Sequence, residues 1–262
     1  MFSLNENDIN YLIKNKDFKG LIKALNYKDD NFIRYKAAEA LGDIGRSSEV
    51  DALIEDLNDD DEAVRQMVIY ALGEIGNKKA VIPLIANYGD ENDELREMII
   101  YSLGEIGGSE SLEFISFTLD EENPQIRLRA VEGLGTIANP NSVKTLITTL
   151  YDDSWEVKEQ AITALGEIGD ERAIAPLTRM LDDEKWNIRR LCLNALGKID
   201  ECPLEPFINS LDDEDCHVRE KAVEIIGKCA DEEGISYLNR VLTDPDEDVR
   251  TRATEIINKN KK

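Results

Sequence analysis

Histidine is almost absent from this sequence, and its scarcity excludes most catalysis by imidazole. The 262 residues contain one histidine, His217, so Ser–His–Asp and Cys–His groupings have a single candidate base. His217 lies in an acidic stretch where a helix is predicted to begin, and we expect it to be a surface residue. The spacings of a P-loop, a Cys-x-x-Cys motif and an EF-hand are also missing. We therefore predict no catalytic centre and no cofactor.

Cysteine and proline are scarce too, which argues against disulfides and flexible linkers. The four cysteines all lie in the last third of the chain, unlike the framework of a disulfide-rich secreted domain. We predict reduced thiols, with Cys192 and Cys229 in the core and Cys202 and Cys216 exposed. Cys202, Cys216 and His217 lie on neighbouring predicted turns, but these three residues are too few to predict a metal site. Only seven prolines occur and no linker-like run divides the chain, so we predict one continuous domain.

Long apolar runs and an excess of basic charge are missing as well. No stretch approaches the roughly 18 apolar residues of a membrane helix, and the first residues lack the order of a signal peptide. The 55 acidic and 31 basic residues give a net charge of -24, which repels nucleic acid and anionic lipid and attracts basic partners. We expect a cytoplasmic protein that binds a protein or peptide, one of basic character, and neither nucleic acid nor membrane.

What the sequence does contain is a repeat of 31 residues. A hexapeptide of the pattern Ala/Ser-Leu-Gly-acid-Ile-Gly occurs at 40–45, 71–76, 102–107 and 164–169. A basic residue keeps the same register: Arg34, Arg65, Arg96, Arg127, Lys158, Arg189, Arg219 and Arg250. These positions are 31 residues apart except for one step of 30, which we place in a turn near 200–203. Such a period predicts structural repeats that stack on one another.

Each repeat is predicted to contain two helices. From Val64 to Ile75, apolar residues recur at i, i+4, i+7, i+8 and i+11, the spacing of one buried helix face. Acidic residues before Val64 supply N-cap oxygens, and Gly76 offers a left-handed helix end. A second apolar helix face follows over residues 81–88. Because strand-like alternation is missing, we predict hairpins of two helices, each of about 11 to 13 residues.

A glycine recurs inside the first helix of the repeats, where it costs about 1 kcal/mol relative to alanine. The positions are Gly42, Gly73, Gly104, Gly135, Gly166, Gly197 and Gly227. This repetition needs a packing reason, and we predict close approach of the first helix to the second helix. A phosphate-binding loop is excluded because it would need several glycines after a strand.

The acidic turn, the Val-Arg pair and the Ala-Leu-Gly-x-Ile-Gly segment resemble the HEAT-like repeats first associated with phycobilisome lyase subunits. The resemblance runs from about residue 17 to 258 and implies an all-α, right-handed α-solenoid of two-helix repeats. It predicts a degenerate helical cap at residues 1–30, seven repeats at 31–247, and a capping helix with a basic tail at 248–262. Such repeats serve scaffolds and enzymes alike, so the resemblance implies the fold and leaves the function open.

In that family, the acid of the turn and the arginine of the first helix form a structural ladder. The pairs that the resemblance implies here are Asp59–Arg65, Asp90–Arg96, Asp183–Arg189 and Asp213–Arg219, with matching residues in other repeats. Lys28 stands where the first acid belongs, and Lys158 replaces arginine with a head group that cannot form a two-pronged bond. We expect the ladder to be weak at both points.

Three sets of residues place large apolar groups where stacking does not require them, and these are the candidates for partner binding. They are Trp155 and Trp186 at the start of two first helices; Met67, Tyr70, Met98 and Tyr101 on the outward side of two first helices; and Phe114 and Phe117 on a second helix, which should line the concave face. Each set has a structural alternative, because tryptophan can pack over the neighbouring turn and neutral drift also varies exposed positions.

Together these features favour a non-catalytic protein-binding scaffold or adaptor. An alternative from another class is a subunit of a lyase or chaperone that acts on a cofactor-bearing protein, as the family name suggests. Nucleic-acid binding is a third alternative, which the acidic charge disfavours.

Overall fold

The computed structural model describes residues 4–44, 48–200, 203–229 and 232–260, and within these ranges the chain forms helices and no strand. Contacts divide the chain into two compact units, residues 1–137 and 138–262. The helices of the first unit are α1 (Glu6–Asn15), α2 (Phe18–Leu25), α3 (Asn31–Ile44), α4 (Val50–Glu55), α5 (Glu62–Ile75), α6 (Val81–Asn87), α7 (Asp93–Ile106), α8 (Ser109–Phe117) and α9 (Pro124–Ile137). Those of the second unit are α10 (Val143–Thr149), α11 (Trp155–Ile168), α12 (Ile174–Arg179), α13 (Trp186–Leu196), α14 (Glu205–Asn209), α15 (Cys216–Cys229), α16 (Glu232–Ser236) and α17 (Glu247–Asn260).

From α3 onward, long helices alternate with short ones, as the predicted all-α fold of two-helix repeats requires. The long first helices are α3, α5, α7, α9, α11, α13, α15 and α17, and the short second helices lie between them. No helix in the described part of the chain is long and apolar enough to cross a membrane. The predicted limits of the caps and repeats, and the prediction of one continuous domain, stay predictions.

Helix α5 shows why the repeat sequence forms a first helix. The Asp61 carboxylate accepts a hydrogen bond from the backbone N–H of Val64 and so caps the first turn. Gly76 ends the helix in the left-handed conformation, with φ of 66°. Between these ends, Val68 and Leu72 join Val64 on a face that is completely buried. The acidic turn, the apolar period and the glycine thus act together at this element.

The second helices are shorter than predicted. Helix α6 has seven residues, but a 3-10 turn precedes it at Lys78–Ala80 and another follows it at Tyr88–Asp90. The helical span therefore has the expected length, and its ends are wound more tightly than an α-helix. Short i to i+3 turns of this kind pair the end carbonyls and let the chain reverse direction at once.

The glycines of the first helices pack against a different element from the one predicted. A Cβ on Gly42 in α3 would lie 2.8 Å from the Cβ and 2.9 Å from the Cα of Ala71 in α5. A Cβ on Gly166 in α11 would likewise lie 2.7 Å from the Cα of Ala195 in α13. The close approach thus joins the first helices of consecutive repeats, and the prediction of contact with the second helix was wrong. The 31-residue period could not distinguish these neighbours, because both recur once in each repeat.

Candidate functional site

The junction between Arg219 and Asp244 shows the geometry of the ladder most clearly. The Nε and Nη2 atoms of Arg219 each lie 2.8 Å from a carboxylate oxygen of Asp244, and both residues are buried. The Nη1 atom donates to the backbone carbonyls of Asp213 and Glu214, at 2.8 and 3.1 Å. The hydrogen bond to Asp244 raises the pKa of Arg219, so the pair stays charged. This arginine therefore joins two successive repeat turns.

The ladder pairs differ from those that the resemblance implied. The guanidinium groups of Arg65 and Arg189 bind carboxylates of the following repeat and reach the turn of their own repeat through backbone carbonyls. Ion pairs of this kind include Arg34–Asp59 and Arg65–Glu91 in the first unit, and Arg189–Asp213 and Arg219–Asp244 in the second. The implied Asp59–Arg65, Asp183–Arg189 and Asp213–Arg219 ion pairs were therefore wrong, because an arginine side chain spans the distance between stacked turns.

The two points where weakness was expected behave differently. Arg34 forms its ion pair with Asp59 and donates through Nη1 to the carbonyl of Tyr27, at 3.1 Å. The lysine at position 28 is therefore no interruption of the ladder, since only a backbone oxygen is needed before Arg34. Lys158, in contrast, makes no ion pair with any residue that the structure describes.

The junction at Arg96 departs from the others because a tyrosine replaces a leucine. Tyr88 lies where other repeats have Leu57 or Leu211, and the Arg96 guanidinium lies 4.5 Å from its ring centre. Its hydroxyl donates to Glu121 at 3.3 Å, and Arg96 approaches that carboxylate only to 3.6 Å. Burial, and then the charge of Glu121, raise the pKa of the Tyr88 phenol. The tyrosine thus takes the place of the two-pronged bond.

Asp90, which was expected to pair with Arg96, is exposed and takes no part in this junction. The ladder acid of this turn is the next residue, Glu91, which binds Arg65 at 2.7 Å. The 3-10 turn ends one residue later here than in the preceding repeat, at Asp90 instead of Asn58. The shift moves the acid by one position, so the expected Asp90–Arg96 pair was wrong.

Asp56 occupies a slot that favours a hydrogen-bond donor. In the same repeat position, Thr118 and Ser210 donate to backbone carbonyls within their own helices, each at 2.9 Å. An ionised aspartate cannot donate, and the Oδ2 atom of Asp56 is buried without a hydrogen-bond partner. Burial, followed by the charge of Asp59, raises the pKa of Asp56 to about 6.

The two tryptophans lie over the helix starts of the repeats that follow them. Trp155 is 47% exposed, with the Lys185 ammonium 6.0 Å from its ring centre. Trp186 is 40% exposed and stacks on the His217 ring, with centroids 4.7 Å apart and planes 24° apart. The Arg190 guanidinium lies 5.8 Å from the Trp186 ring centre. Both rings are partly used in packing and partly open to solvent.

The Met67–Tyr70 and Met98–Tyr101 pairs form a continuous patch on the first unit. The rings of Tyr70 and Tyr101 stack with centroids 6.5 Å apart and planes only 5° apart, while the two methionines are half-buried. Four other first helices have an ion pair at the same two positions, which are Lys36–Glu39, Arg129–Glu132, Lys221–Glu224 and Arg252–Glu255. Two consecutive repeats therefore exchange a charged pair for apolar and aromatic groups.

The second helices of the first unit carry the most exposed apolar side chains of the candidate surfaces. Phe117 is 69% exposed, whereas Phe114 is half-buried and packs edge-on against Tyr88 at 5.0 Å. Ile82, on α6, is 62% exposed. Sequence reasoning missed Ile82, although its slot holds Asp51 in the preceding repeat and was a visible departure. The sequence grouped Phe114 with Phe117, and of the two Phe117 has the larger exposed fraction.

Family comparison agrees with this architecture. Four stretches match the family of HEAT repeats, at residues 18–104, 50–119, 112–197 and 204–261. The chain belongs to the HEAT-repeat family. No curated protein matches it in sequence.

Solved structures share the fold of these HEAT repeats at low sequence identity. The complex of CpcE and CpcF of phycocyanin lyase from Nostoc sp. PCC7120 is 23% identical, with a TM-score of 0.51 over 93% of this chain and 94% of that chain. An engineered protein is 19% identical, with a TM-score of 0.52 over 97% and 81%. A structure of Kap95p binding to RanGDP is 16% identical, with a TM-score of 0.63 over 97% of this chain and 41% of that chain. At these identities the similarity establishes the fold alone.

The cysteines of the HEAT repeats fall into two groups. Cys192 is completely buried, and burial raises the pKa of its thiol, so it packs as a small apolar group. Cys216 is partly exposed at the start of α15, next to the exposed His217. Cys202, which was predicted to be exposed, and the side chain of Cys229, which was predicted to be buried, lie outside the part of the chain that the structure describes.

Proposed function

We propose that this HEAT-repeat chain is a non-catalytic protein-binding scaffold and that the second helices of its first unit hold the partner. The observation that carries the proposal is the exposure of Ile82 and Phe117, at 62% and 69%. The repeat stack does not need these side chains, since the slot of Ile82 holds Asp51 one repeat earlier and the slot of Phe117 holds Ala86 and Glu55 in the two repeats before it. We call Ile82 and Phe117 the second-helix anchors.

Burial of the second-helix anchors would supply a large share of a binding energy. Transfer of an exposed isoleucine or phenylalanine into an apolar contact is worth about 1.5 to 3 kcal/mol for each side chain. Binding energy is commonly concentrated in a few such groups, surrounded by polar residues that exclude water. Large apolar groups on neighbouring second helices of a repeat protein fit this description of a binding centre.

The charge around the anchors favours a partner that is both apolar and basic. Glu113 lies exposed on α8 beside Phe117, Asp51 and Glu55 lie exposed on the preceding second helix α4, and the chain carries a net charge of -24. A basic protein or peptide segment would therefore be attracted over long range and held by short-range apolar contact. Added salt should slow its association, because screening removes the long-range part first.

A capture experiment with matched variants tests the proposal. The wild-type chain and an Ile82→Ala, Phe117→Ala variant are used to capture partners from extract of the source cells, and bound proteins are compared by mass spectrometry. Tyr11→Ala is the control, because Tyr11 is equally exposed, at 67%, but lies on α1. Circular dichroism and thermal unfolding establish that each variant is folded.

Two further double variants compare the other candidate surfaces. Trp155→Ala with Trp186→Ala removes the tryptophan edge, and Tyr70→Ala with Tyr101→Ala removes the stacked tyrosines. The proposal expects a partner that wild type and Tyr11→Ala retain and that the anchor variant loses. Loss of that partner only with the tryptophan or tyrosine variant would move the binding surface there. Retention by all folded variants would refute an apolar anchor on any of the three.

A lyase or chaperone subunit that acts on a cofactor-bearing protein is the alternative function, and the fold shared with the CpcE and CpcF complex favours it over other enzyme classes. A visible absorbance that copurifies with the chain and its partner would support this alternative. Nucleic-acid binding is disfavoured by charge, and salt-sensitive retention on DNA would revive it. As part of the scaffold proposal, we propose that the protein is cytoplasmic.

A further inference from the structure

Three metal-ligating side chains of different kinds meet at the start of α15. The Nδ1 atom of His217 lies 3.0 Å from Oδ1 of Asp215 and 3.7 Å from Sγ of Cys216. One donor atom from each residue lies within 4.8 Å of the other two. We call these residues the Asp–Cys–His cluster. Other repeats have no cysteine and no histidine at the corresponding helix start, where Glu62 and Ala63 or Asp93 and Glu94 are found.

Two residues from adjacent repeats lie near this cluster. The carboxylate of Asp246, at the turn before α17, adds negative charge near the Cys216 thiol. On the other side, Trp186 stacks on the His217 ring at a centroid distance of 4.7 Å and restricts its orientation. The three donors therefore come from one turn, and the imidazole stacks on a ring of the preceding repeat.

We propose that Asp215, Cys216 and His217 bind Zn²⁺, with water as the fourth ligand. Zinc takes four ligands from thiolate sulfur, imidazole nitrogen and carboxylate oxygen, which is the donor set present here. In a tetrahedral site with ordinary zinc bond lengths, neighbouring ligand atoms lie about 3.3 to 3.6 Å apart. The separations of 3.0 and 3.7 Å in the Asp–Cys–His cluster lie close to that range, so binding requires only small side-chain rotations.

The electrostatics of the cluster favour a cation. Asp215 within the cluster and Asp246 nearby place two carboxylates around it. A bound divalent cation offsets both carboxylates and stabilises the thiolate. Binding replaces the S–H bond with a metal–sulfur bond, and the proton leaves to solvent. Affinity should therefore increase with pH, with release of one proton from the thiol.

A cobalt titration of the full chain, kept reduced by a phosphine, tests the site because Co²⁺ has the coordination preferences of Zn²⁺ and is coloured. Wild type should show the intense visible bands of tetrahedral Co²⁺ together with a thiolate charge-transfer band, and Zn²⁺ should abolish both. Cys216→Ser should remove the charge-transfer band, and His217→Gln should lower the affinity for both metals at least about tenfold. Cys202→Ser is the matched control and should leave the spectrum unchanged.

Tryptophan fluorescence gives a second readout that is specific for the place of binding. The chain has two tryptophans, so a Trp155→Phe variant reports on Trp186 alone. Co²⁺ bound beside the His217 ring should quench this emission, and His217→Gln should remove the quenching. The measurement needs no knowledge of the chain's partner, so it stands apart from the scaffold proposal.

The outcomes that overturn the site are distinct. Metal binding without a charge-transfer band, retained in every variant, would be adventitious binding to the many exposed carboxylates. Loss of the band in Cys202→Ser would assign the thiolate elsewhere. Equal affinity of wild type and His217→Gln would exclude the imidazole as a ligand, and with it the proposed donor set.

Discussion

The repeat turns and the second helices of this chain differ in how closely they keep to the repeat. At the turns, an arginine joins consecutive acids with nearly the same geometry in both units, as at Arg34 and Arg219. On the second helices, one slot holds Glu55, Ala86 and Phe117 in succession. The side chains of the turn ion pairs are largely shielded from solvent between repeats, while the second-helix slots face solvent. Stacking therefore restricts which residues the turns can hold, and it leaves the second-helix residues free to specify a partner.

This difference separates stability from binding. Substitutions at the turns and at the interface of the first helices should lower the free energy of unfolding. Substitutions of the second-helix anchors should change affinity and leave the fold intact. If one of the predictions below failed, the turns and the second helices would not differ in this way.

The largest effect is expected from Arg219→Ala. The substitution leaves the buried carboxylate of Asp244 without its cation and removes the bonds to two backbone carbonyls, so it should lower the free energy of unfolding by about 3 kcal/mol. Urea unfolding followed by circular dichroism measures the loss. Lys221→Ala, which breaks a half-buried ion pair with Glu224 on the same helix, is the control and should cost less than about 0.5 kcal/mol, because Glu224 keeps Lys228 as a partner. Equal effects of the two variants would mean that the ladder has no special role.

Gly42→Ala should have the next largest effect. The added methyl group would lie 2.9 Å from the Cα of Ala71, so the first helices must separate, at a net cost of about 2 kcal/mol. Gly89→Ala is the matched control, because no atom lies within 4 Å of its added Cβ. Thermal unfolding of the two variants distinguishes a packing requirement from an effect of glycine itself. Stabilisation by Gly42→Ala would contradict the close approach.

Asp56→Thr should stabilise the chain and give it the hydrogen bond that Thr118 makes in the same slot. The folded pKa of Asp56, about 6, lies above its ordinary value of 3.8, so the folded state binds more protons than the unfolded chain between these values. The free energy of unfolding therefore falls as the pH rises through this window. The penalty is complete above about pH 7 and vanishes below about pH 4.

The expected gain for Asp56→Thr is about 1 to 2 kcal/mol at pH 8, after allowance for the partial exposure of the carboxyl group. It should shrink progressively between pH 7 and pH 4. Unfolding in urea at a series of pH values measures both. A gain that does not depend on pH would show that Asp56 is not the titrating group.

Much of the fold could be predicted from the sequence, because the 31-residue register repeats the same physical signals many times. The capping acid before Val64, the apolar face at Val68 and the ending glycine at Gly76 each appear in the structure in the expected role. Local signals of this kind depend on residues within a few positions of each other.

The pairing between repeats could not be predicted in the same way. A period shows that Arg65 and an acid recur together, but not whether the arginine reaches its own turn or the next, where Glu91 lies. The exposure of Ile82 was not predicted, because an isoleucine in a short apolar helix is equally compatible with a buried position. Tyr88 was read as one more buried position, since nothing local reveals that its hydroxyl reaches Glu121.

The most direct test of the account measures affinity and stability together in the Ile82→Ala, Phe117→Ala variant. With the partner that wild type captures, we expect at least about a tenfold loss of affinity. The free energy of unfolding should stay within about 0.5 kcal/mol of wild type, because both side chains are exposed. Unchanged affinity together with a clear loss of stability would contradict the assignment, since the second-helix anchors would then support the fold and not a partner.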